Sequence, residues 1–228
     1  MSTHTKSSLV WRGITSAIPL FVPALPFAFM LGVVVTEWGI PSLLGWSSSP
    51  IIFGGAAQIT LLTLLGEGAS VAAAISAALI VGARHLLYSV SLAPQFHNQP
   101  RWFRWLGAYL LVDQMFALAS IEKWQDSDDF RIFYLSAGST FWAMWMTFTA
   151  IGIIVGPVIP ESWGLAFAAP VLFIGLLAVS IDRWQTLAVA LVAMVAAVAL
   201  AQLPNRLGIL AAALIALLVG LLLERLRR

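Results

Sequence analysis

The chain of 228 residues contains no cysteine, which excludes disulfides, thiol catalysis and cysteine-based metal sites. Its three histidines share no metal spacing: His4 lies in a polar N-terminal stretch, His97 in a segment that reads as a loop, and only His85 within a long apolar run. A Gly-rich phosphate-binding motif is missing, so the chain has no means of hydrolysing a nucleotide by itself. No HExxH helix and no protease-like pair of intramembrane aspartates occurs, and Ser89 and Ser91 near His85 lack the flanking pattern of a rhomboid-like dyad. The expectation is therefore a non-enzyme with no cofactor and no metal. The opening MSTHTKSSLVWR is polar, with no small-residue cleavage site after a short apolar core, so a cleavable signal peptide is not expected. Charge is scarce as well, at 10% of residues, and the net +2 gives no reason to expect nucleic-acid binding.

What remains is apolar. Hydrophobic residues make up 61% of the chain, and the mean hydropathy is +0.94. Crossing a ~30 Å hydrocarbon core takes about 20 helical residues. Gly13 to Thr36, Ile132 to Pro160, Ser162 to Ile181, Trp184 to Asn205 and Leu207 to Leu223 carry no charge. These runs are continuous rather than alternating, which favours helices over a β-barrel. The expected fold class is thus an all-α integral membrane protein of about eight transmembrane helices: 14–36, 50–66, 70–92, 104–122, 133–156, 164–181, 184–202 and 207–224. Span 50–66 is short and follows Ser47 to Pro50, which suits a broken or re-entrant helix. Residues 1–12 read as a cytoplasmic tail and 13–228 as one transmembrane domain.

Orientation follows the Lys/Arg bias. With both ends inside, the cytoplasmic segments hold Lys6, Arg12, Lys123, Arg131, Arg183, Arg225, Arg227 and Arg228, and the opposite side holds Arg101, Arg104 and Arg206. Most tryptophans fall near expected span ends, whereas Trp142 and Trp145 lie inside the fifth span. The halves also echo each other. Leu31 to Pro41 resembles Ile151 to Pro160, and Phe53 to Gly66 parallels Phe167 to Ser180, which suggests a duplication of 13–122 as 132–226.

Against this apolar background a few polar residues stand out. Arg84 lies about ten residues from Pro94, roughly 15 Å at helical rise and too deep for easy snorkelling. Such a cation needs partners or water. On a helix Arg84 and Tyr88 share a face, and His85 pairs with Ser89. Arg84 suits a carboxylate, and His85 can relay protons. Asp113 is flanked by eight uncharged residues on either side. It is the natural partner of Arg84, either as a static pair or as part of an ion or proton pathway. Gln58 closes the small-residue run Gly54 to Gln58, and Pro170 stands at the echoing position of the second half, where a proline frees a backbone carbonyl. Pro19, Pro23 and Pro26 act similarly in the first span. Interrupted helices expose backbone dipole ends to polar substrates.

At these residues the chain resembles the AzlC family, the large subunits of branched-chain amino acid exporters. The resemblance rests on FGGAAQ (Phe53 to Gln58), RHLLY (Arg84 to Tyr88) followed by Ser91-Leu92, Asp113-Gln114, and PVLF (Pro170 to Phe173), in that order over nearly the whole chain. Family members often carry Glu where this chain has Gln114, a departure that bears on coupling and specificity, while Asp113 remains available. The resemblance implies a secondary transporter that exports valine, leucine, isoleucine or analogues across the cytoplasmic membrane, plausibly proton-driven. It also implies a small hydrophobic AzlD-type partner subunit. Read this way, the substrate or ion pathway comprises Gln58, Arg84, His85, Tyr88, Asp113, Gln114 and Pro170. Rival readings are a channel or structural membrane subunit of a larger complex, an uptake carrier for another small solute, and a homo-oligomer in place of the two-component assembly.

Overall fold

The computed structural model describes residues 5–121, 124, 126–159, 181, 183–203 and 207–227. All regular structure among them is helical, and the chain is an all-α integral membrane protein. Three helical stretches, Lys6–Glu37, Val71–His97 and Ser127–Val158, are long and apolar enough to cross a membrane. Packing divides the chain into two compact units, Met1–Ile59 with Val81–Ile159, and Thr60–Ile80 with Pro160–Arg228. Pro170 and span 164–181, except its last residue, lie outside the described residues.

In the first unit, α1 (Lys6–Phe21) starts where the Thr5 hydroxyl accepts the Ser8 N–H. Pro19 and Pro23 tighten the chain into a 3₁₀ turn at Val22–Ala24, and α2 (Leu25–Glu37) continues from it. The first span is therefore one helical path, modulated at its prolines rather than severed. The longest element, α9 (Ser127–Val155), begins where the Asp126 carboxylate accepts backbone N–H groups of the first turn. It contains no proline and stops where Gly156–Val158 turns into a 3₁₀ segment.

Helices α1 and α2 pack along α9. A Cβ on Gly32 would fall 2.8 Å from the Gly152 Cα and 2.7 Å from the Ile153 nitrogen, and one on Gly152 would strike the Phe29 carbonyl. Gly152 and Gly156 on one side face Gly32 and Thr36 on the other. In lipid, where apolar side chains gain little by leaving their surroundings, such small-residue seams allow the close backbone approach that holds helices together.

Between α2 and α9 in the sequence lie α3 (Ser42–Ile52), α4 (Gly55–Gly66), α5 (Val71–Gly82), α6 (Arg84–His97), α7 (Arg101–Tyr109) and α8 (Asp113–Ile121). An aromatic cluster ties the ends of α6 and α7 to α9. Phe96 stacks on Phe103 at 5.2 Å and meets Phe130 and Tyr134 edge-on. The Tyr134 hydroxyl donates to the Gly107 carbonyl at 2.9 Å, a hydrogen bond sealed inside the fold.

Three expected spans differ from the structure. Residues 42–52 form a helix ahead of expected span 50–66, and the chain breaks at Phe53 and Gly54. Span 70–92 is one helical path with a single irregular residue at Ala83, which keeps helical dihedrals (φ −59°, ψ −24°), and it continues to His97. Span 104–122 is two short helices separated by a turn at 110–112. In the second unit, Leu64, Ala74 and Ala77 form a small apolar cluster backed by Leu61 and Ala69. There, α10 (Trp184–Ala199) and α11 (Leu207–Arg227) pack antiparallel, with Gly208 against Leu200 and Gly220 near Val189.

Candidate functional site

The three interruptions converge within the first unit. At the first, Phe53 caps α3 in the left-handed region (φ 37°, ψ 49°) and is the one non-glycine residue with positive φ among those described. That conformation costs an L-residue roughly 1–2 kcal/mol, so the surroundings must hold it. Phe53 is buried, its ring lies 5.6 Å from that of Tyr109, and its N–H donates to the Ser49 carbonyl at 2.9 Å. Gly54 then passes beside His85, whose Cε1 would lie 3.9 Å from a Cβ there.

Two polar networks brace this break. Gln58, fully buried on α4, donates to the Ser48 and Ser49 hydroxyls at 2.7 Å each, and its side-chain oxygen accepts from the Trp145 indole at 3.4 Å. Tyr109, the last residue of α7, donates to the Pro50 carbonyl at 2.6 Å and accepts from the Trp142 indole at 2.7 Å. Pro50 cannot donate a backbone hydrogen bond, and its ring perturbs the end of α3. The tyrosine thus joins the first break, the third break and α9.

A one-residue irregularity at Ala83, which keeps helical dihedrals, precedes Arg84, and the third break places Asp113 at the first residue of a helix. A carboxylate is favoured at a helix start by the dipole. Arg84 Nη2 lies 3.0 Å from Asp113 Oδ2, with the two side chains 39% and 40% exposed. One turn further along both helices, Tyr88 stacks on Phe116 at 4.4 Å. His85 meets Tyr88 edge-on at 5.7 Å, and its Nδ1 contacts the Gly82 carbonyl at 2.8 Å.

The structure thus brings Arg84, His85, Tyr88 and Asp113 into one cluster. Gln58 belongs to the bracing network around the first break. Gln114 is half-buried beside Asp113 on α8 and takes part in none of these hydrogen bonds. Pro170 lies outside the described residues. Sequence reasoning missed Ser48, Ser49, Phe53 and Tyr109 as site-forming residues. The signals for two neighbours were nonetheless present, since Trp142 and Trp145 did not fit an aromatic belt. No group of three or more His, Asp or Glu side chains able to hold a metal occurs among the described residues.

Comparison with known proteins identifies the family of the chain. The family model described as AzlC protein matches residues 19–159, most of the chain and every residue of the converging breaks. The inner membrane protein YgaZ of Escherichia coli is 28% identical over 212 residues, covering 87% of this chain and 84% of that protein. The branched-chain amino acid transport protein AzlC of Bacillus subtilis is 25% identical over 194 residues, covering 81% and 74%. An uncharacterized membrane protein of Archaeoglobus fulgidus is 28% identical over 156 residues, covering 68% and 67%. No solved structure matches.

Proposed function

The chain is a membrane transporter of the AzlC family, and on that premise we propose that it exports valine, leucine, isoleucine or close analogues as the large subunit of a two-component, proton-driven exporter. The observation that carries this reading is the Arg84–Asp113 pair where helix interruptions meet. Charged residues are rare within membrane helices, and transporters place substrate sites at discontinuous helices. Arg84 supplies a permanent cation for the substrate carboxylate. The Tyr88–Phe116 stack supplies an apolar wall for an aliphatic side chain. His85, beside the cluster, is the residue suited to carry a coupling proton. Without a nucleotide site on the chain, an ion gradient is the natural energy source.

The second component is a small hydrophobic subunit of the AzlD type, and both termini of this chain face the cytoplasm of the cell that carries it in its inner membrane. The test is reconstitution of the chain with and without an AzlD-type subunit from the same genome, followed by radiolabelled leucine and valine flux under an imposed pH gradient. Saturable, gradient-dependent flux that needs both subunits is the expected result. Full flux from the single chain would refute the obligatory partner and make a homodimer the leading assembly. Flux without saturation or counterflow would instead identify a channel, and counterflow with unrelated solutes only would identify a different carrier.

A further inference from the structure

Helices α7 and α8 have nine residues each, about 14 Å at helical rise, so neither alone crosses a ~30 Å hydrocarbon core. Laid end to end they would nearly suffice, and an uninterrupted span 104–122 would carry the chain from one side to the other. Their contacts place them side by side instead. Helix α7 runs along α9 in the same direction: Phe103 meets Phe130, the Gly107 carbonyl accepts from the Tyr134 hydroxyl, Leu110 lies against Gly138, and Tyr109 meets Trp142. The loop 98–100 turns α6 back into α7, and the crevice between the two is lined from Ser89 to His97 on one helix and from Arg104 to Leu111 on the other. Helix α8 runs with α6, not with α7. Asp113 pairs with Arg84, Phe116 stacks on Tyr88, and the Gln95 amide reaches the Ala119 carbonyl at 3.4 Å. The return is visible at the base as well. The Gln99 amide, in the loop before α7, donates to the Ser127 carbonyl at the start of α9, at 2.7 Å. Trp124, between α8 and α9, packs on Phe133, and the Arg12 guanidinium of α1 lies 5.4 Å from both rings.

We infer that α7–α8 is a re-entrant hairpin: it enters the membrane from the side that holds the start of α1, turns at 110–112 and leaves by the same side. The turn stands level with Trp142, about 22 Å from Ser127 along an α9 of about 43 Å, which is mid-depth. Irregular backbone at that depth is tolerated only inside protein. Leu110, Leu111 and Val112 are accordingly buried, and the N–H groups of Leu111 and Val112 donate to the carbonyls of Ala108 and Leu110. A half-helix meets this hairpin from the other side. Helix α3 starts beside Val35, near the far end of α2, and offers the Pro50 carbonyl at its tip to Tyr109. Two tips that meet at mid-depth form a barrier between two half-pathways, with the Arg84–Asp113 pair beside it. The arrangement also sorts charge. Lys6, Arg12, Arg101, Arg104 and Arg131 gather at the hairpin's base, whereas the far end, 37–42 and 155–159, carries Glu37 and no lysine or arginine. By the positive-inside bias the base faces the cytoplasm, so Arg101 and Arg104 join the cytoplasmic set instead of opposing it. The path of the chain is independent of what is transported, and only the naming of the side rests on the reading that the termini are cytoplasmic.

The chain has no cysteine, so a single introduced thiol reports its own position. Four exposed polar positions serve: Ser7→Cys at the start of α1, Asn98→Cys in the loop before α7, Ser127→Cys at the start of α9, and Ser42→Cys at the start of α3. Each full-length variant is expressed in bacterial cells together with an AzlD-type subunit. A membrane-impermeant sulfonated maleimide is applied to intact cells with a permeabilised outer membrane, or to inside-out vesicles. The denatured chain is then probed with a PEG-maleimide, whose gel shift is lost wherever the thiol was already blocked. Treatment of cells should abolish the shift for Ser42→Cys alone, and treatment of vesicles should abolish it for Ser7→Cys, Asn98→Cys and Ser127→Cys. If Asn98→Cys is blocked together with Ser42→Cys, while Ser7→Cys and Ser127→Cys are blocked from the other side, α7–α8 crosses the membrane and the hairpin is overturned. If Asn98→Cys, Ser7→Cys and Ser127→Cys are all blocked in cells and Ser42→Cys in vesicles, the hairpin stands and the cytoplasmic placement of the termini is overturned. The two failures are thus distinct, and neither readout depends on leucine flux.

Discussion

Helix α9 runs for 29 residues without a break, whereas α3, α4, α7 and α8 are 9 to 12 residues long. Both regions are apolar, and both contain polar side chains. The difference lies in what joins separate elements. Serine and threonine hydroxyls donate one turn back along their own helix in both regions, Ser136, Thr140 and Thr147 on α9 and Ser47, Ser48 and Ser120 on α3 and α8. The broken helices are also tied to one another across the gaps: Gln58 to Ser48 and Ser49, Tyr109 to Pro50, Arg84 to Asp113. Helix α9 supports those ties from outside, through the Trp142 and Trp145 indoles and the Tyr134 hydroxyl. Polarity satisfied across a gap fixes the gap.

The sharpest way to test this contrast is to remove function from the broken region without touching the scaffold. Arg84→Ala should reduce leucine flux to background, at least about 100-fold, while the protein still inserts and elutes as a folded species. Arg84→Lys should recover little, because a lysine cannot reproduce the planar fork. Normal flux in folded Arg84→Ala protein would remove Arg84 from the substrate site. The converse experiment breaks the scaffold. Gly152→Val puts a branched side chain against the Phe29 carbonyl and should destabilise the protein by about 3 kcal/mol, the upper end for overpacking, read as a lower unfolding midpoint in detergent. A smaller effect is expected from the pair itself. Arg84→Ala and Asp113→Ala should each cost about 1–2 kcal/mol, less than a fully buried pair because both side chains are partly open, and the double variant should cost less than the sum. Additive losses in a double-mutant cycle would show that the two are not coupled. The smallest change is Tyr109→Phe. It removes one hydroxyl that bridges Pro50 and Trp142 and should cost about 1 kcal/mol, with slower flux at unchanged substrate affinity if it only braces the break.

Much of the architecture was legible in the sequence because hydrophobic length is a strong signal. The first span, α9, α10 and α11 lie close to where charge-free runs placed them. The partnership of Arg84 and Asp113 was legible for a related reason: each was the one unambiguous deep charge of its sign. The breaks were less legible, for unequal physical reasons. Gly54 and Gly55 mark the first, and Gly82 stands beside the second. Leu110, Leu111 and Val112, however, contain nothing that ends a helix by propensity. That break is set by tertiary structure, with Tyr109 held by Pro50 and Trp142 on one side and Asp113 held by Arg84 on the other. The left-handed Phe53 was equally hidden, since a bulky aromatic is among the least expected residues for that conformation. Gln114, singled out as the family's point of departure, proves peripheral to the hydrogen-bonded cluster.

The seam where Gly32 meets Gly152 has a mechanical meaning. An interface of interlocking side chains can slip by exchanging rotamers, as gears can skip a tooth. Two backbones in contact have no rotamers to exchange. Shifting α9 by one turn so that Gly152 met Thr36 would bring Phe148 to Gly32, where a bare Cα now fits. Gly13 makes a second close approach far along the same pair, against Phe133 and Ala137. With backbones touching at both ends, neither sliding nor pivoting is easy, and the pair acts as a single rigid beam.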